Sequence, residues 1–259
     1  MNPTIPAMPL FELENVFEVE DYLFVYADDL SSERSDAEVA ALVKQLELDT
    51  PMKILDLACG FGRHTNRLAA LGHQVTGVDL MPGFLNLARQ EAVEMGVQVD
   101  YRQGDMRQVS FVEEFDRVVL LFTSFGYFED AENEVVISNM AQALKPGGRL
   151  LLDVPNRDLI LKDFSPAQVI EKDGDLLINR LSFDVLTGHF QNCRIIIRQG
   201  IRKDKPFSIR LYNATEISRL LTQAGLVGIE LFGENDLPLS ATSRRMVVIA
   251  RKPSMEFTT

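Results

Sequence analysis

The stretch of residues 54–62 limits what this chain can fold into more than any other segment. It begins with apolar residues that predict a buried strand, and it ends in a loop that contains Gly60 and Gly62. A helical pattern follows, and a second apolar strand, 74–79, then ends in Asp79. In an open α/β sheet, ligands bind at the carboxyl ends of strands, where glycines admit them to the backbone and an acid holds ribose hydroxyls. The pattern predicts an α/β protein with a nucleoside-binding unit.

The same loop disfavours a dinucleotide. In the fingerprint G-x-G-x-x-G, counted from Gly60, the third glycine falls at the position that Thr65 occupies. The strand also contains Asp56, whose carboxylate would repel a pyrophosphate and attract an ammonium group. A ligand with a ribose, a cationic amino group and no phosphates suits these residues, and S-adenosylmethionine has all three properties.

Five segments, in chain order, resemble the motifs of class I S-adenosylmethionine-dependent methyltransferases. They are the glycine loop 56–62, the ribose-binding segment 77–80, the adenine-contact segment 104–106, the fourth strand 115–119 and the turn into the fifth strand 144–150. The resemblance spans residues 53–154 and is closest in type to small-molecule enzymes, including sugar N-methyltransferases. It implies S-adenosylmethionine as the cofactor and S-adenosylhomocysteine as its product.

The expected architecture is a doubly wound, Rossmann-like seven-stranded sheet with an N-terminal helical extension and an antiparallel β insertion after the fifth strand. Residues 1–50 are expected to form an N-terminal arm and lid helices, with the loosely ordered arm in the first fifteen, and 51–154 the cofactor-binding core. Apolar and polar residues alternate from about 168 to 212, so residues 155–212 are predicted to form the insertion. The resemblance to methyltransferases implies that this insertion is a substrate lid or a dimer contact. Residues 213–259 complete the core.

Two local patterns give sharper expectations. Ser35, with Glu38 three residues later, predicts a helix that begins at Ser35 with a capping box. Within the insertion, Lys205-Pro206 is interpreted as a turn, as are two pairs that contain glycine, Asp173-Gly174 and Thr187-Gly188. A further helix is expected to begin at Arg63.

Composition narrows the partners. The net charge of −12 argues against nucleic acid, because affinity for a phosphate backbone is mainly electrostatic. No apolar run approaches the ~20 residues that span a bilayer, and residues 1–6 lack the regions of a signal peptide. Two cysteines cannot form a disulfide framework, and no metal site is expected. We expect a cytoplasmic protein without a membrane partner, either a monomer or a homodimer.

The resemblance implies a role for each residue of the cofactor site. Gly60 and Gly62 would admit the methionine part, Asp56 would face the ammonium, and Asp79 would bind both ribose hydroxyls. The other residues expected to contact the cofactor are Ala58, Arg63, Leu80, Met81, Gly104, Asp105, Met106, Leu121, Tyr22, Tyr26 and Arg34. Simple alternatives stay open for several of them: Asp105 as a turn residue, Arg63 as a surface arginine, and Tyr22 and Tyr26 as packing on one helix face.

The acceptor site is less constrained, because transfer from a sulfonium needs alignment more than a fixed catalytic motif. The loop 123–128 follows the fourth strand and supplies aromatic rings, among them Tyr127 as a candidate catalytic residue. His189 is a second candidate, as a base, although its turn-like neighbours also fit a surface position. Asn156 is a third candidate, to orient the acceptor.

The insertion also carries a basic cluster that is either a solvated strand edge or an attractor of an anionic acceptor. Its members are Arg194, Arg198, Arg202, Lys203, Lys205 and Arg210. Together these patterns predict methyl transfer to a nitrogen or oxygen atom of a small molecule. Two alternatives remain: a protein that binds S-adenosylmethionine without transferring its methyl group, and a nicotinamide-dependent oxidoreductase.

Overall fold

The computed structural model describes residues 12–254, apart from the side chain of Asn235. Most of the predicted N-terminal arm therefore lies outside the described residues. The strands are β1 (Lys53–Leu57), β2 (Gln74–Asp79), β3 (Asp100–Gln103), β4 (Phe115–Leu120), β5 (Leu144–Pro155), β6 (Ala167–Lys172), β7 (Asp175–Asp184), β8 (His189–Arg198), β9 (Ile201–Arg210), β10 (Val227–Phe232) and β11 (Arg245–Arg251). The helices are α1 (Leu13–Val16), α2 (Val19–Tyr26), α3 (Ser32–Gln45), α4 (Thr65–Ala70), α5 (Pro82–Met95), α6 (Asp130–Ala143), α7 (Arg157–Lys162) and α8 (Ala214–Gln223).

The larger sheet has the strand order β10-β11-β5-β4-β1-β2-β3. Strands β1 to β5 pair in parallel, and β11 runs antiparallel to both β5 and β10. Ile54, Leu55 and Leu57 of β1 are fully buried, as expected for a parallel strand covered on both faces. The order brings the carboxyl ends of β1, β2 and β4 side by side, which confirms the predicted seven-stranded Rossmann-like sheet.

The insertion forms a separate antiparallel sheet in the order β6-β7-β8-β9. The predicted turn at Lys205-Pro206 is wrong, because both residues lie inside β9 and Pro206 is aligned with Cys193 of β8. The chain turns instead at Gln199 and Gly200, which both have positive φ. Strand β9 is an edge strand, where a proline is tolerated because its missing N–H removes no ladder bond on the free side.

Helix α3 begins one turn earlier than predicted. Its N-cap is Ser31, whose side-chain oxygen accepts a hydrogen bond from the backbone of Arg34 at 3.2 Å. Ser35 lies inside the helix and donates to the carbonyl of Ser31 at 2.9 Å. Both positions hold serine, and the earlier one is the N-cap. Glu38 is therefore not used in a capping box, and its side chain turns toward the site described below.

The N-terminal helices are fastened to the insertion. Val16 packs in one apolar cluster with Phe207 and Ile209 of β9. Lys205 of β9 lies 2.6 Å from a carboxylate oxygen of Glu18, and the fully buried carboxylate of Asp21 is 3.0 Å from the same ammonium group. Removing one partner of a buried ion pair leaves an uncompensated charge, so these contacts hold α2 in place. Among residues 12–254, no helix combines the length and the apolar character needed to cross a membrane.

Candidate functional site

The carboxyl ends of β1 and β2 open into a cavity that we call the cofactor cavity. Its floor comes from the loops after β1, β2 and β3, its far wall from the loop after β4, and its roof from the N-terminal helices. The lining residues are Leu13, Phe17, Tyr22, Asp56, Ala58, Cys59, Gly60, Phe61, Arg63, His64, Asp79, Leu80, Met81, Phe84, Gly104, Asp105, Met106, Leu121, Phe122, Ser124, Tyr127 and Phe128. Most of the predicted cofactor residues are therefore brought together.

Asp79 is held in one orientation at the end of β2. One carboxylate oxygen accepts the backbone N–H of Gly60 at 2.8 Å, and the other accepts that of Met81 at 2.8 Å. Burial raises the pKa of this carboxyl, although both hydrogen bonds oppose that rise. Each carboxylate oxygen has a second lone pair, so the group can still accept hydrogen bonds from two hydroxyl groups in the cavity.

Asp56 lies deeper, inside β1, and is 2 % exposed. Its carboxylate accepts a hydrogen bond from the hydroxyl of Thr65 at 2.6 Å. Burial raises the pKa of Asp56 to about 7, and the nearby charge of Asp79 acts in the same direction. A cation placed against this carboxylate would favour its ionised form. Thr65 thus occupies the third-glycine position and orients the acid.

The two loop glycines serve different purposes. Gly60 has φ +58°, lines the cavity, and a Cβ at this position would meet no atom within 4 Å. Gly62 lies outside the lining, which differs from the prediction. A Cβ on Gly62 would approach Ala88 of α5 at 2.8 Å and would also collide with the hydroxyl of Tyr101. Gly62 therefore permits close packing of the loop against α5 and β3.

Arg63 forms the turn before α4 and is buried, which excludes the surface alternative. One terminal nitrogen, Nη1, donates to Glu38 and to the hydroxyl of Ser35. The other, Nη2, is sealed from solvent and has no hydrogen-bond partner among the described residues. Its guanidinium also lies 4.7 Å from the ring centre of Phe122. An orphaned buried donor of this kind, in the wall of a cavity, fits an anionic group.

The opposite end of the cavity is more apolar. Asp105 lines this end but is also a turn residue. Its carboxylate accepts a hydrogen bond from the backbone N–H of Arg107 at 2.8 Å and pairs with the guanidinium of Arg107 at 2.6 Å. Burial acts to raise the pKa of Asp105, but the hydrogen bonds and the charge of Arg107 outweigh it and hold that pKa below its usual value. Phe84 of α5 contacts the Tyr22 ring at 5.0 Å between centroids. Sequence reasoning missed Phe84, although its place in the first turn after Pro82 is a usable signal.

A second cavity, the outer cavity, adjoins the first and has a volume of about 860 Å³. Its walls come from α2, α3, the ends of β4 and β5, the insertion, and the connection between β10 and β11. Tyr26 and Arg34, predicted for the cofactor site, line this cavity and not the cofactor cavity. Arg34 is engaged by Asp29 and Glu38 of its own segment.

The three residues predicted for the acceptor site lie in three separate parts of the structure. Tyr127 lies in the wall that both cavities share, and burial raises the pKa of its hydroxyl well above the usual range, so it is a donor and not a base at neutral pH. His189 lines neither cavity and starts β8 opposite Asp184, directly after the turn at Thr187-Gly188, so the alternative of a position away from the acceptor site is the better one. Asn156 donates to the carbonyls of Ser240 and Ser243 and caps α7, so its amide is committed to the fold.

The basic cluster divides into groups. The solvated-edge interpretation is wrong for Arg194, Lys205 and Arg210, which are all less than 10 % exposed. Arg198, Arg202 and Lys203 are more exposed, and each pairs with a carboxylate. Only Arg194 of the six lines the outer cavity.

His64 and Glu38 form a pair that the sequence patterns did not connect. His64 Nε2 lies 2.8 Å from a carboxylate oxygen of Glu38, and His64 lines both cavities. Burial lowers the pKa of His64, although the hydrogen bond to Glu38 opposes this. The spacing to α3 conceals the contact, because the two residues are 26 positions apart.

Comparison with known proteins identifies the family. Residues 54–148 match the family model described as a methyltransferase domain. The chain is 30 % identical over 229 residues to a putative methyltransferase, YqeM, of Bacillus subtilis (strain 168), with 81 % of this chain and 88 % of that protein covered. It is 28 % identical over 190 residues to the dTDP-4-amino-2,3,4,6-tetradeoxy-D-glucose N,N-dimethyltransferase of Saccharopolyspora spinosa, with 72 % of each covered.

The fold comparison agrees. A crystal structure of an S-adenosylmethionine-dependent methyltransferase from Clostridium acetobutylicum ATCC 824 superposes with a TM-score of 0.78 at 17 % identity, covering 91 % of this chain and 99 % of that one. Together with the glycine loop, the acid at the end of β2 and the similarity along most of the B. subtilis relative, this leads to one conclusion. The chain belongs to the class I S-adenosylmethionine-dependent methyltransferases.

Proposed function

We propose that this enzyme methylates a nitrogen or oxygen atom of a small molecule that occupies the outer cavity and carries an anionic group. The observation that carries the proposal is Arg194, a buried arginine that lines this cavity and has no carboxylate partner within residues 12–254. The cofactor cavity is left to the methyl donor.

The residues of the cofactor cavity fit S-adenosylmethionine. The orphaned Nη2 of Arg63 suits the methionine carboxylate, the Asp56 carboxyl suits the ammonium, and the oriented oxygens of Asp79 suit the ribose hydroxyls. At the other end, the lining formed by Leu80, Met81, Phe84, Gly104, Asp105 and Met106 is mostly apolar, which suits adenine. When bound, S-adenosylmethionine supplies a methyl carbon that is activated by a positively charged sulfur.

The protein's own contribution is alignment and exclusion of water. Phe17, Tyr22 and Tyr127 line both cavities and lie where donor and acceptor meet. The Tyr127 ring packs edge-on against Phe17 at 5.3 Å between centroids. Holding two reactants in line contributes a large part of a displacement reaction's acceleration. Tyr127, with its hydroxyl protonated, is suited to orient an acceptor by donating a hydrogen bond.

The acceptor's charge is inferred from Arg194. Its Nε donates to the side-chain oxygen of Asn179 at 3.2 Å, and Nη2 lies 3.4 Å from the hydroxyl of Tyr26. Burying a guanidinium with only neutral partners is costly, and an anion in the cavity removes that cost. Asn192, on the same wall, has its Oδ1 sealed without a donor within the described residues. An acceptor that carries a hydroxyl or amino group near its anion satisfies both residues.

The comparisons support this chemistry without determining it. The S. spinosa relative is named for a dTDP-linked amino sugar, which joins an anionic diphosphate to an amine. An amine nitrogen is accordingly the first class of acceptor atom to test, with phenolic and sugar hydroxyls next.

The test is a panel of small amines, phenols and sugars, each in an anionic and an uncharged form, with methylated product and S-adenosylhomocysteine measured together. We expect turnover with anionic members and at least tenfold weaker kcat/KM for their uncharged counterparts. Arg194→Gln should raise KM for the anionic acceptor by at least tenfold, because a hydrogen-bonded charge is lost, with little change in affinity for S-adenosylmethionine. Arg198→Gln, on the same strand but half-exposed and paired with Asp175, is the matched control.

Two results would overturn parts of the proposal. Equal turnover of charged and uncharged acceptors by both the parent protein and Arg194→Gln would show that Arg194 does not bind an anionic group of the acceptor. Calorimetry that detects no binding of S-adenosylmethionine or S-adenosylhomocysteine would exclude the cofactor cavity as the donor site.

A further inference from the structure

We propose that His64, oriented by Glu38, takes the proton from the methyl acceptor. The inference rests on the proposed function, since it needs an acceptor with a removable N–H or O–H proton. His64 would touch the acceptor directly, and Glu38 would act as a positioning residue through the imidazole.

The position of His64 carries the inference. The chain has three histidines. His73 accepts a backbone N–H from Met52 and lines neither cavity, and His189 is on the insertion, also outside both cavities. His64, in the turn before α4, lines both cavities at once. A group that removes a proton during transfer must lie at this boundary, because the acceptor atom has to meet the methyl carbon there.

The hydrogen bond to Glu38 determines which ring nitrogen is available. Burial opposes ionisation, but the hydrogen bond from His64 and the charge of Arg63 lower the pKa of Glu38 to about 2. Glu38 is therefore a carboxylate at neutral pH and only accepts hydrogen bonds. It follows that Nε2 of His64 carries the hydrogen and Nδ1 carries the free lone pair.

The lone pair on Nδ1 of His64 is not used by a hydrogen bond from any described residue. No hydrogen bond to Nδ1 of His64 is formed by residues 12–254. The polar side-chain atoms that are sealed without a partner belong to Arg63, Asn133 and Asn192, so Nδ1 is not among them. Because the side chain is 9 % exposed and lines the cavities, its accessible surface faces cavity space.

The charges around His64 suit an imidazole that gains a proton during the reaction and then loses it. Glu38 of α3 contacts the ring, and Arg34 pairs with the same carboxylate. Arg63, next in the chain, disfavours the imidazolium, while Asp153 of β5 favours it. Asp153 itself pairs with Arg245 of β11 at 2.8 Å. Burial keeps the imidazole neutral at neutral pH, and the two carboxylates offset the charge when it gains a proton.

Proton transfer to His64 and methyl transfer to the acceptor belong to one displacement. A hydroxyl proton of the acceptor, or the extra proton of an amine acceptor in its ammonium form, passes to Nδ1 of His64, and the electron pair that this frees on oxygen or nitrogen forms the new bond to the methyl carbon. The bond between that carbon and sulfur breaks, with its pair retained by sulfur, so the sulfonium becomes a neutral thioether. The imidazolium then returns its proton to water after product leaves.

The first experiment compares His64→Gln with the matched control His73→Gln, using an acceptor found in the panel above. General-base assistance contributes about 10²–10⁴-fold, so His64→Gln should lower kcat by at least 100-fold, while the affinity for S-adenosylmethionine, measured by calorimetry, changes less than threefold. His73→Gln should keep kcat within threefold. Exogenous imidazole should partly restore turnover in His64→Ala.

The second experiment separates positioning from simple structural support. In the parent enzyme kcat should fall as pH falls through the pKa of His64, because the base becomes protonated. Glu38→Gln should move this limb to lower pH, since the carboxylate no longer stabilises the imidazolium, and should also lower kcat. Nitrogen NMR of labelled histidine should show the Nε2–H tautomer in the parent and a mixture in Glu38→Gln.

The outcomes are distinguishable from those of the proposed function. If product forms but His64→Gln keeps kcat within threefold of the parent, or if the parent's neutral tautomer is Nδ1–H, the assignment to His64 is wrong and the methyltransferase function stands. If no acceptor in the panel gives product while the cofactor binds, the proposed acceptor class fails, and the NMR measurement alone decides the state of His64.

Discussion

The two cavities are built from different kinds of sequence. The cofactor cavity is formed mainly by three loops that follow neighbouring parallel strands, so its residues sit at short, regular spacings along the chain. The outer cavity draws on segments separated by more than two hundred residues, from Phe17, just after α1, to Val247 in β11. Chemistry that depends on local loops can be inferred from motifs, while chemistry that depends on assembled walls cannot.

The cavities also differ in how their charges are satisfied. In the cofactor cavity, Asp56 and Asp79 are held by a hydroxyl and by backbone N–H groups, without a cation paired to either carboxylate in the described residues. In the outer cavity, Arg34 and Arg245 pair with carboxylates of the protein, and Arg194 does not. Arg63 lines both cavities; beyond it, the first cavity offers two carboxylates to its ligand, and the second offers Arg194, a buried cation without a carboxylate partner in the described residues.

The largest expected effect tests whether the glycine loop belongs to the cavity or to the core. Gly62→Ala should destabilise the protein by about 3 kcal/mol, because its Cβ collides with α5 and its φ of +82° disfavours a side chain. Gly60→Ala should cost only about 1 kcal/mol of stability but should weaken S-adenosylmethionine binding, since Gly60 lines the cavity and a side chain there reduces access to its backbone. Urea unfolding and calorimetry measure the two effects.

Gly72→Ala is the control for backbone strain alone, with φ +92° and no atom within 4 Å of the added Cβ. Should Gly62→Ala match this control in stability and lose cofactor affinity instead, the placement of Gly62 in the packing layer would be incorrect.

The next effect concerns the oriented acid. Asp79→Ala should weaken S-adenosylmethionine binding by roughly 2 kcal/mol, about 30-fold, through loss of two charge-assisted hydrogen bonds. Asp100→Ala, an exposed acid on β3, should leave the affinity unchanged. Calorimetry on folded variants decides it, and an unaltered dissociation constant in Asp79→Ala would remove the ribose role.

The smallest effect is the pH dependence of donor binding. Because the pKa of Asp56 is raised to about 7, the carboxyl is mostly protonated at pH 6, and binding a cationic ammonium must release that proton. Affinity for S-adenosylmethionine should therefore rise between pH 5.5 and 7, by up to about tenfold per unit. Asp56→Asn should flatten this slope. A parent protein whose affinity is constant over that range would show that Asp56 does not face the ammonium.

Much of this organisation was predictable, for identifiable reasons. Strand ends and glycine loops are recognisable from local sequence, which is why Asp56 and Asp79 were placed correctly in the first two strands. Two errors share one cause: Ser31 competes with Ser35, and a proline is compatible with an edge strand as well as a turn. The local pattern is identical in each alternative, and only the assembled structure selects one.

The outer cavity shows the limit most clearly. Arg194 is one of six similar basic residues in the insertion, and only the pairing of the other five with carboxylates distinguishes it. His64, beside the glycine loop, was not among the candidate residues drawn from the sequence. Its importance depends on Glu38, which comes from a helix that precedes the first strand of the sheet.

The ion pairs between Lys205 and the acids of α2 have a thermodynamic consequence. Helix α2 supplies Tyr22 to both cavities and Tyr26 to the outer one, and it is fastened to β9, so the two cavities share a wall. A ligand that holds this wall in place from one side lowers the ordering cost for a ligand on the other. Such coupling is reciprocal: whatever factor the donor adds to the affinity for the acceptor, the acceptor adds to the affinity for the donor.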